Sequence, residues 1–265
     1  MSRHETEISP PSTFSQNRNQ NVNSHIQQTG PFSTLIESLS RIRDVIIHPR
    51  RGIRQIIEKP DYWGPCIVLV ILALLIMLNF ALAIRLLDFK VSSDLERDLE
   101  DNNMQSAHQV IRDWRIIGFF LVTLDPVIAL LVMTFLFWLL LRYFTDLSSS
   151  QRSFRMCFSI LGYISITNVP QELIKSLLLI QKSRKIVELN DPGEMKPDEY
   201  ITHEIASKTT EIANSTFTVI GTILSSLWLL ILLYYALRTL EIEKKQAVLL
   251  CILFQIFKIT FSYIF

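Results

Sequence analysis

Lys59-Pro60-Asp61-Tyr62-Trp63-Gly64-Pro65-Cys66 is the stretch on which the fold turns. Before it the chain is polar and basic; after it begins an apolar run long enough to cross a bilayer. Two prolines and a glycine break any helix arriving from upstream, while Pro65 suits the first turn of the next one. Tyr62 and Trp63 belong where water meets lipid, because their rings are apolar and their polar groups seek partners. Asp61 stands just ahead of the new helix, where a carboxylate accepts from the free N–H groups of the first turn.

Downstream, five apolar runs follow, over about residues 66–87, 116–144, 154–180, 216–237 and 246–265. The first, second and fourth meet the requirement of roughly 20 residues for about 30 Å of hydrocarbon. The third is the most polar, with Ser159, Gly162, Ser165, Asn168, Pro170, Glu172 and Lys175. This pattern predicts an all-α polytopic bundle of five transmembrane helices over residues 59–265. The turns between runs two and three (Arg142, Arg152, Arg155) and four and five (Arg238, Lys244, Lys245) are short and basic. The loops after runs one and three are long and acidic, from Asp88 to Asp113 and from Glu188 to Glu211. Cytoplasmic loops carry the excess of Lys and Arg, so the expected layout has a cytosolic N-terminus and an extracytosolic C-terminus. Within the acidic loops, residues 92–113 and 198–213 read as helices extending runs two and four into water. Asn214-Ser215-Thr216 matches the glycosylation acceptor pattern, but its place at the mouth of run four argues against modification.

Upstream, residues 32–58 read as two helices. Phe32, Leu35, Ile36, Leu39, Ile42 and Ile46 recur at helical spacing, and Thr34 with Glu37 has capping-box spacing. His48-Pro49 ends this segment, and a second one places Ile53, Ile56 and Ile57 on one side. Arg41, Arg43, Arg50, Arg51 and Arg54 flank these stripes and are the candidate lipid-headgroup residues. Such amphipathic helices either lie in the headgroup layer or pack on the cytosolic face of the bundle. Residues 1–31 are polar and nearly free of large aliphatics, which predicts a disordered tail. The tail carries no signal-peptide pattern, so the first apolar run is expected to direct insertion.

Composition excludes several classes of function. A net charge of +1 leaves no global footprint for nucleic acid. Five dispersed histidines and three cysteines (Cys66, Cys157, Cys251), each inside an apolar run, predict buried inert thiols and neither a metal site nor a disulfide. Phosphate-loop, nucleophile-elbow and His-Glu-x-x-His motifs are all missing from the sequence, so no enzyme and no cofactor is expected.

Ionisable groups at membrane depth are functional candidates by default. Asp125 lies about nine residues inside the outer end of run two, near mid-bilayer at a rise of about 1.5 Å per residue. Lys258 sits at comparable depth in run five, and the expectation is that the two face each other. Glu172 and Lys175 are three apart on one helix side and can satisfy each other. Together these four either neutralise one another and orient the bundle or line a proton or ion path. Asp125-Pro126 is expected to kink its helix, and Gly162 and Gly221 with nearby serines allow close helix approach.

With those residues in place, the chain resembles the YIP family, Ypt/Rab-interacting membrane proteins with a cytosolic N-terminus and five spans. Family members carry Asp-Leu-Tyr-Gly-Pro before span one, where this chain has Asp61-Tyr62-Trp63-Gly64-Pro65. They carry Gly-Tyr followed by prolines in span three, where this chain has Gly162-Tyr163 and Pro170. The resemblance covers roughly residues 45–265; Tyr-Trp replaces Leu-Tyr, and the acidic loops are longer than usual. It implies a non-enzymatic membrane protein of vesicle trafficking or membrane organisation. It also implies that Asp61, Tyr62, Trp63, Gly64, Pro65, Gly162, Tyr163 and Pro170 serve partner binding. The implied partners are small prenylated GTPases, membrane-shaping proteins or other YIP-type chains, in homo- or hetero-oligomers. The implied place is Golgi, endoplasmic reticulum or endosome in a eukaryote and the cell membrane in a prokaryote. Two rival readings stand beside it: a small transporter or channel using Asp125, Glu172 and Lys258, and a structural subunit of a membrane complex.

Overall fold

The computed structural model describes residues 31–101, 105–149, 151–190, 195–213 and 216–264. The expected tail over residues 1–31 and the acceptor pattern Asn214-Ser215-Thr216 fall outside these, apart from Pro31 and Thr216. The order is α1 (Pro31–Ile47), α2 (Pro49–Glu58), α3 (Trp63–Leu86), β1 (Leu87–Val91), α4 (Ser93–Asp101) and α5 (Ala107–Phe144). Then come α6 (Phe154–Ile164), a 3-10 turn (Ser165–Asn168), α7 (Val169–Gln181), β2 (Lys185–Leu189), α8 (Pro197–Ala213), α9 (Thr216–Thr239) and α10 (Lys244–Ile264).

Three helical stretches, Trp63–Leu86, Ala107–Phe144 and Val219–Thr239, are long and apolar enough to cross a membrane. Their outward residues are large and apolar: Leu74 and Leu78 on α3, Phe120 and Leu124 on α5, Ile223 and Leu227 on α9. In water such faces would be a liability, whereas against lipid tails they carry no penalty. With 38 residues α5 rises about 57 Å, so several of its turns stand outside a hydrocarbon layer of about 30 Å. Pro126 sits inside α5 without ending it. The third apolar run is two helices in series, α6 and α7, joined by the 3-10 turn. Ser165 at that joint bonds back to the Leu161 carbonyl at 2.8 Å, and Pro170 lies in the first turn of α7.

Two cores divide the molecule. The larger runs through the bundle and includes Val68, Phe137, Leu141, Ile160, Tyr163, Leu233 and Phe254, with Ile53 and Ile56 of α2 packed into its end. The smaller gathers Leu87, Leu95, Leu99, Ile111, Val187, Leu189, Ile201 and Ile205 at the opposite end. There the acidic loops, read as helical extensions alone, also contain a two-stranded parallel sheet with Leu87 opposite Lys185 and Val91 opposite Leu189. The helix of residues 92–113 is in fact α4 and the first turns of α5, while α8 falls where the second helix was expected. Cys157 and Cys251 are buried, but Cys66 is exposed in the first turns of α3, which corrects the expectation that all three thiols are enclosed.

Upstream of the bundle, the α1–α2 hairpin closes tightly at Gly52. A Cβ there would stand 2.5 Å from the Val45 backbone nitrogen. α1 begins at Pro31, ahead of Thr34, so the expected capping box does not form and Glu37 is free for other partners. The face α1 turns inward is Ser38, Arg41, Ile42 and Val45, while Leu35, Ile36, Leu39, Ile46 and Ile47 stay exposed.

Candidate functional site

Asp61 is the hub of a buried polar cluster at the N-terminal end of α3. Its Oδ1 accepts from the Gly64 N–H at 2.8 Å, which satisfies one free donor of the first helical turn. Its Oδ2 accepts from the Tyr163 hydroxyl at 2.8 Å and from Arg41 Nη1. Its own N–H donates to Ser159 Oγ at 3.3 Å. Arg41 Nη1 also donates to the Lys59 carbonyl at 2.8 Å, and Nη2 to Glu37 at 2.7 Å. One carboxylate thus ties α1, the linker, α3 and α6 together.

Glycines make that approach possible. A Cβ on Gly64 would fall 1.9 Å from Tyr163 Cζ, and one on Gly162 would fall 2.3 Å from Pro65 Cβ. The Gly64-Pro65 and Gly162-Tyr163 pairs, expected to share a role, therefore interlock: each glycine accepts the bulky residue of the other pair. Tyr62 and Trp63 point outward; Tyr62 lies 5.8 Å from the Phe158 ring, with the Arg155 guanidinium 5.1 Å over its face. Pro170 is exposed on α7, away from this cluster.

The arginines divide. Arg41 is 6% exposed and belongs to the cluster, so its placing among headgroup residues is corrected: Asp61, not solvent, decides its direction. Arg43, Arg50, Arg51 and Arg54 are exposed. Arg43 and Arg51 flank Asp44 at 3.1 and 3.7 Å, Arg54 pairs with Glu58 at 2.8 Å, and Arg50 covers the Tyr235 ring at 5.1 Å.

Glu37 closes the outer side of the cluster. The Lys59 ammonium at 3.1 Å, joined by Arg41, holds its carboxyl below the usual range against a smaller opposing effect of burial. A depressed folded-state value means the link is fully present above the unfolded carboxylate range, about 4.3, and is lost as pH falls through the lowered value. Glu37→Gln is therefore expected to cost at most about 1 kcal/mol at neutral pH for so exposed a pair. The gap to the unmodified protein should close in acid; thermal melting of both proteins between pH 3 and 7 checks this.

Deeper in the bundle a second set of polar groups lies roughly level. Asn79 of α3 donates to Glu172 at 2.9 Å and accepts from Ser176 at 2.6 Å, and Lys175 pairs with Glu172 at 2.7 Å as expected. Gln171 bridges α7 to α9 through Thr222 at 2.8 Å and Ser225 at 3.0 Å. Asp125 and Lys258 line one cavity of about 600 Å³ with Ser165 and Asn168, but no ion pair joins them among the described residues. They share the lining of a cavity and do not form the close pair that charge compensation alone would call for.

Sequence reasoning assigned no role to Asn79 or Ser176, and assigned Ser159 and Glu37 different ones, close helix approach and a capping box. A lone Asn in the apolar run of α3 was the available signal for the first; Ser176 carried none. Among the described residues no group of three or more His, Cys, Asp and Glu could hold a metal ion.

No curated protein and no solved structure matches the chain. A family model does: the Yip1 domain, over residues 43–264. That range takes in the α1 residue Asp44, the Asp61–Tyr163 cluster and every membrane-crossing helix described above. Matched over most of its length, this multi-pass membrane chain belongs to the Yip1 domain family.

Proposed function

We propose that this is a five-span, non-enzymatic protein whose cytosolic layer, residues 32–64 and the basic turns, binds small prenylated GTPases or membrane-shaping partners in trafficking or membrane organisation. The observation that carries the reading is the Arg41–Asp61–Tyr163 cluster. It fixes the α1–α2 hairpin on the bundle and leaves Arg50, Arg51 and Arg54 facing outward. A preorganised charged surface costs less to bind than one that must order first. The exposed Leu35, Ile36, Leu39, Ile46 and Ile47 of α1 support contact with the lipid surface beside it.

The five-span count is supported by length. The 21 residues of α10 rise about 31 Å, and α6 with α7 continues one apolar path past the 3-10 turn. The basic turns after α5 and α9 support a cytosolic N-terminus. A pull-down from native membranes tests the proposal: a small GTPase should accompany the protein. Replacing Arg50, Arg51 and Arg54 by Glu should reduce its recovery several-fold, since reversed charges meet the partner's field with the wrong sign. Recovery of the unmodified protein without any GTPase or membrane-shaping partner would overturn it.

The cavity holding Asp125 and Lys258 favours one second reading, a small transporter. Flux into proteoliposomes that Asp125→Asn abolishes would establish it; absence of flux in the unmodified protein would remove it.

A further inference from the structure

We infer that the extracytosolic end of the bundle carries a site for the phosphate of an anionic membrane lipid, formed by Arg85, Arg115 and Arg184. Three distant parts of the chain bring these guanidiniums to one cavity of about 400 Å³. Arg85 is in the last turn of α3, Arg115 in the early turns of α5, and Arg184 in the turn between α7 and β2. All three are exposed, and none forms an ion pair among the described residues. Their neighbours in sequence do pair: Arg112 with Asp113 at 3.6 Å and Lys185 with Glu211 at 2.5 Å. Asp113 and Glu211, the carboxylates paired nearest in sequence to these arginines, are taken by Arg112 and Lys185.

Asp88 is the one acidic group on the cavity wall, and it is joined to none of the three arginines by an ion pair among the described residues. Three cations against one anion leave two positive charges uncompensated. Arg85 has a separate reason for its position, since a cation at the C-terminal turn of α3 complements the helix dipole. Arg115 and Arg184 have none, and extracytosolic segments are the ones from which basic residues are usually depleted. Guanidinium forks match phosphate oxygens in pairs, which a point-charge ammonium does not.

The ligand is a lipid and not a soluble anion because Ala81 and Ile84 of α3 complete the same wall. They lie one turn further into a membrane-crossing helix, so an acyl chain running down α3 leaves its phosphate among the arginines. An excess of two charges matches a phosphomonoester, which carries about −1.5 to −2 at neutral pH, better than a singly charged diester. The inference needs α3 and α5 to cross the bilayer and is independent of the cytosolic partner.

The test uses the full chain in detergent, titrated with phosphatidic acid, phosphatidylserine or phosphatidylcholine and followed by native mass spectrometry. The unmodified protein should retain one phosphatidic acid in preference to the other two lipids. Substituting Gln at Arg85, Arg115 and Arg184 together should cut retention about tenfold or more, as expected for losing charge-assisted bonds. Arg112→Gln should leave it unchanged, and equal melting temperatures in phosphatidylcholine alone show that the triple variant still folds. Equal retention by the unmodified and triple-variant proteins would overturn the site. Displacement of the lipid by millimolar inorganic phosphate would overturn its assignment to a lipid.

Discussion

Gly162→Ala is expected to lower the stability of the bundle by about 1–3 kcal/mol, the range for overpacking a close-packed interior. The added Cβ would stand 2.3 Å from Pro65 Cβ, 2.7 Å from its Cγ and 2.9 Å from its Cα. None of these can swing aside, because the ring is rigid and the Cα belongs to the start of α3. Gly64→Ala acts from the other side, with its Cβ 1.9 Å from Tyr163 Cζ and 2.1 Å from the hydroxyl oxygen. Tyr163 is fully buried and held by Asp61, so the ring must leave its slot and give up that bond as well. Gly221→Ala is the internal control: its nearest neighbour would be Gln171 Cγ at 3.5 Å, an ordinary contact with a flexible side chain. Thermal unfolding in detergent should rank Gly221→Ala close to the unmodified protein and the other two well below it. A Gly162→Ala protein melting with Gly221→Ala would mean that α3 and α6 are not seated this closely.

This interlock was partly legible from residues alone. Gly-Pro before an apolar run and Gly-Tyr within another marked both halves, because a glycine beside a large rigid residue is a local signal. Their meeting was not legible, since 98 positions separate Gly64 from Gly162 and no period connects them. Asp61 was placed correctly as a cap, and its Oδ1 does accept from Gly64. Its second oxygen, which holds the hairpin, depends on tertiary contacts that a local pattern does not encode.

α1 shows why the layer ahead of α3 was harder. Its apolar stripe was expected to face inward or into headgroups, with the arginines opposite. Most of that stripe finds no cover within the protein, and Leu35, Ile36 and Leu39 point out. The inward face is then free to take a charge, provided a partner meets it, and Asp61 meets Arg41. The β1–β2 pair was hidden for a related reason. Each strand is five residues long, and a parallel partner almost a hundred positions away leaves no turn signal near either. The three membrane-crossing stretches in α3, α5 and α9, by contrast, were readable because lipid imposes length and polarity on each segment independently.

Asp61→Asn tests whether the hairpin is held by charge or by shape alone. Asn retains an acceptor for the Gly64 N–H but removes the anion from beside Arg41, whose side chain is 7% exposed. Stripping one partner from a buried pair costs about 3–5 kcal/mol, because the remaining charge keeps its desolvation penalty and loses its compensation. Asp61 itself is 15% exposed, so water reaches part of the site and the lower end of that range is expected. Arg41→Met should cost a similar amount by leaving the carboxylate with fewer donors. If the two groups act as one unit, the double variant should cost clearly less than the two singles added, with a coupling of about 0.5–3 kcal/mol. Melting temperature alone would not say where the loss falls. A thiol introduced by Ser38→Cys, with Cys66→Ser removing the exposed native one, reports it directly, since Ser38 is 2% exposed on the inward face of α1. Asp61→Asn should speed labelling of that thiol by a water-soluble reagent while the bundle remains folded. Unchanged labelling would mean that apolar contacts of Ile42 and Val45 hold α1 by themselves. In that case the charge cluster would fix the start of α3 and not the surface of the α1–α2 hairpin. If labelling rises, lifting α1 should also reduce capture of any partner that reads Arg50, Arg51 and Arg54, because the presenting surface would no longer be fixed before binding.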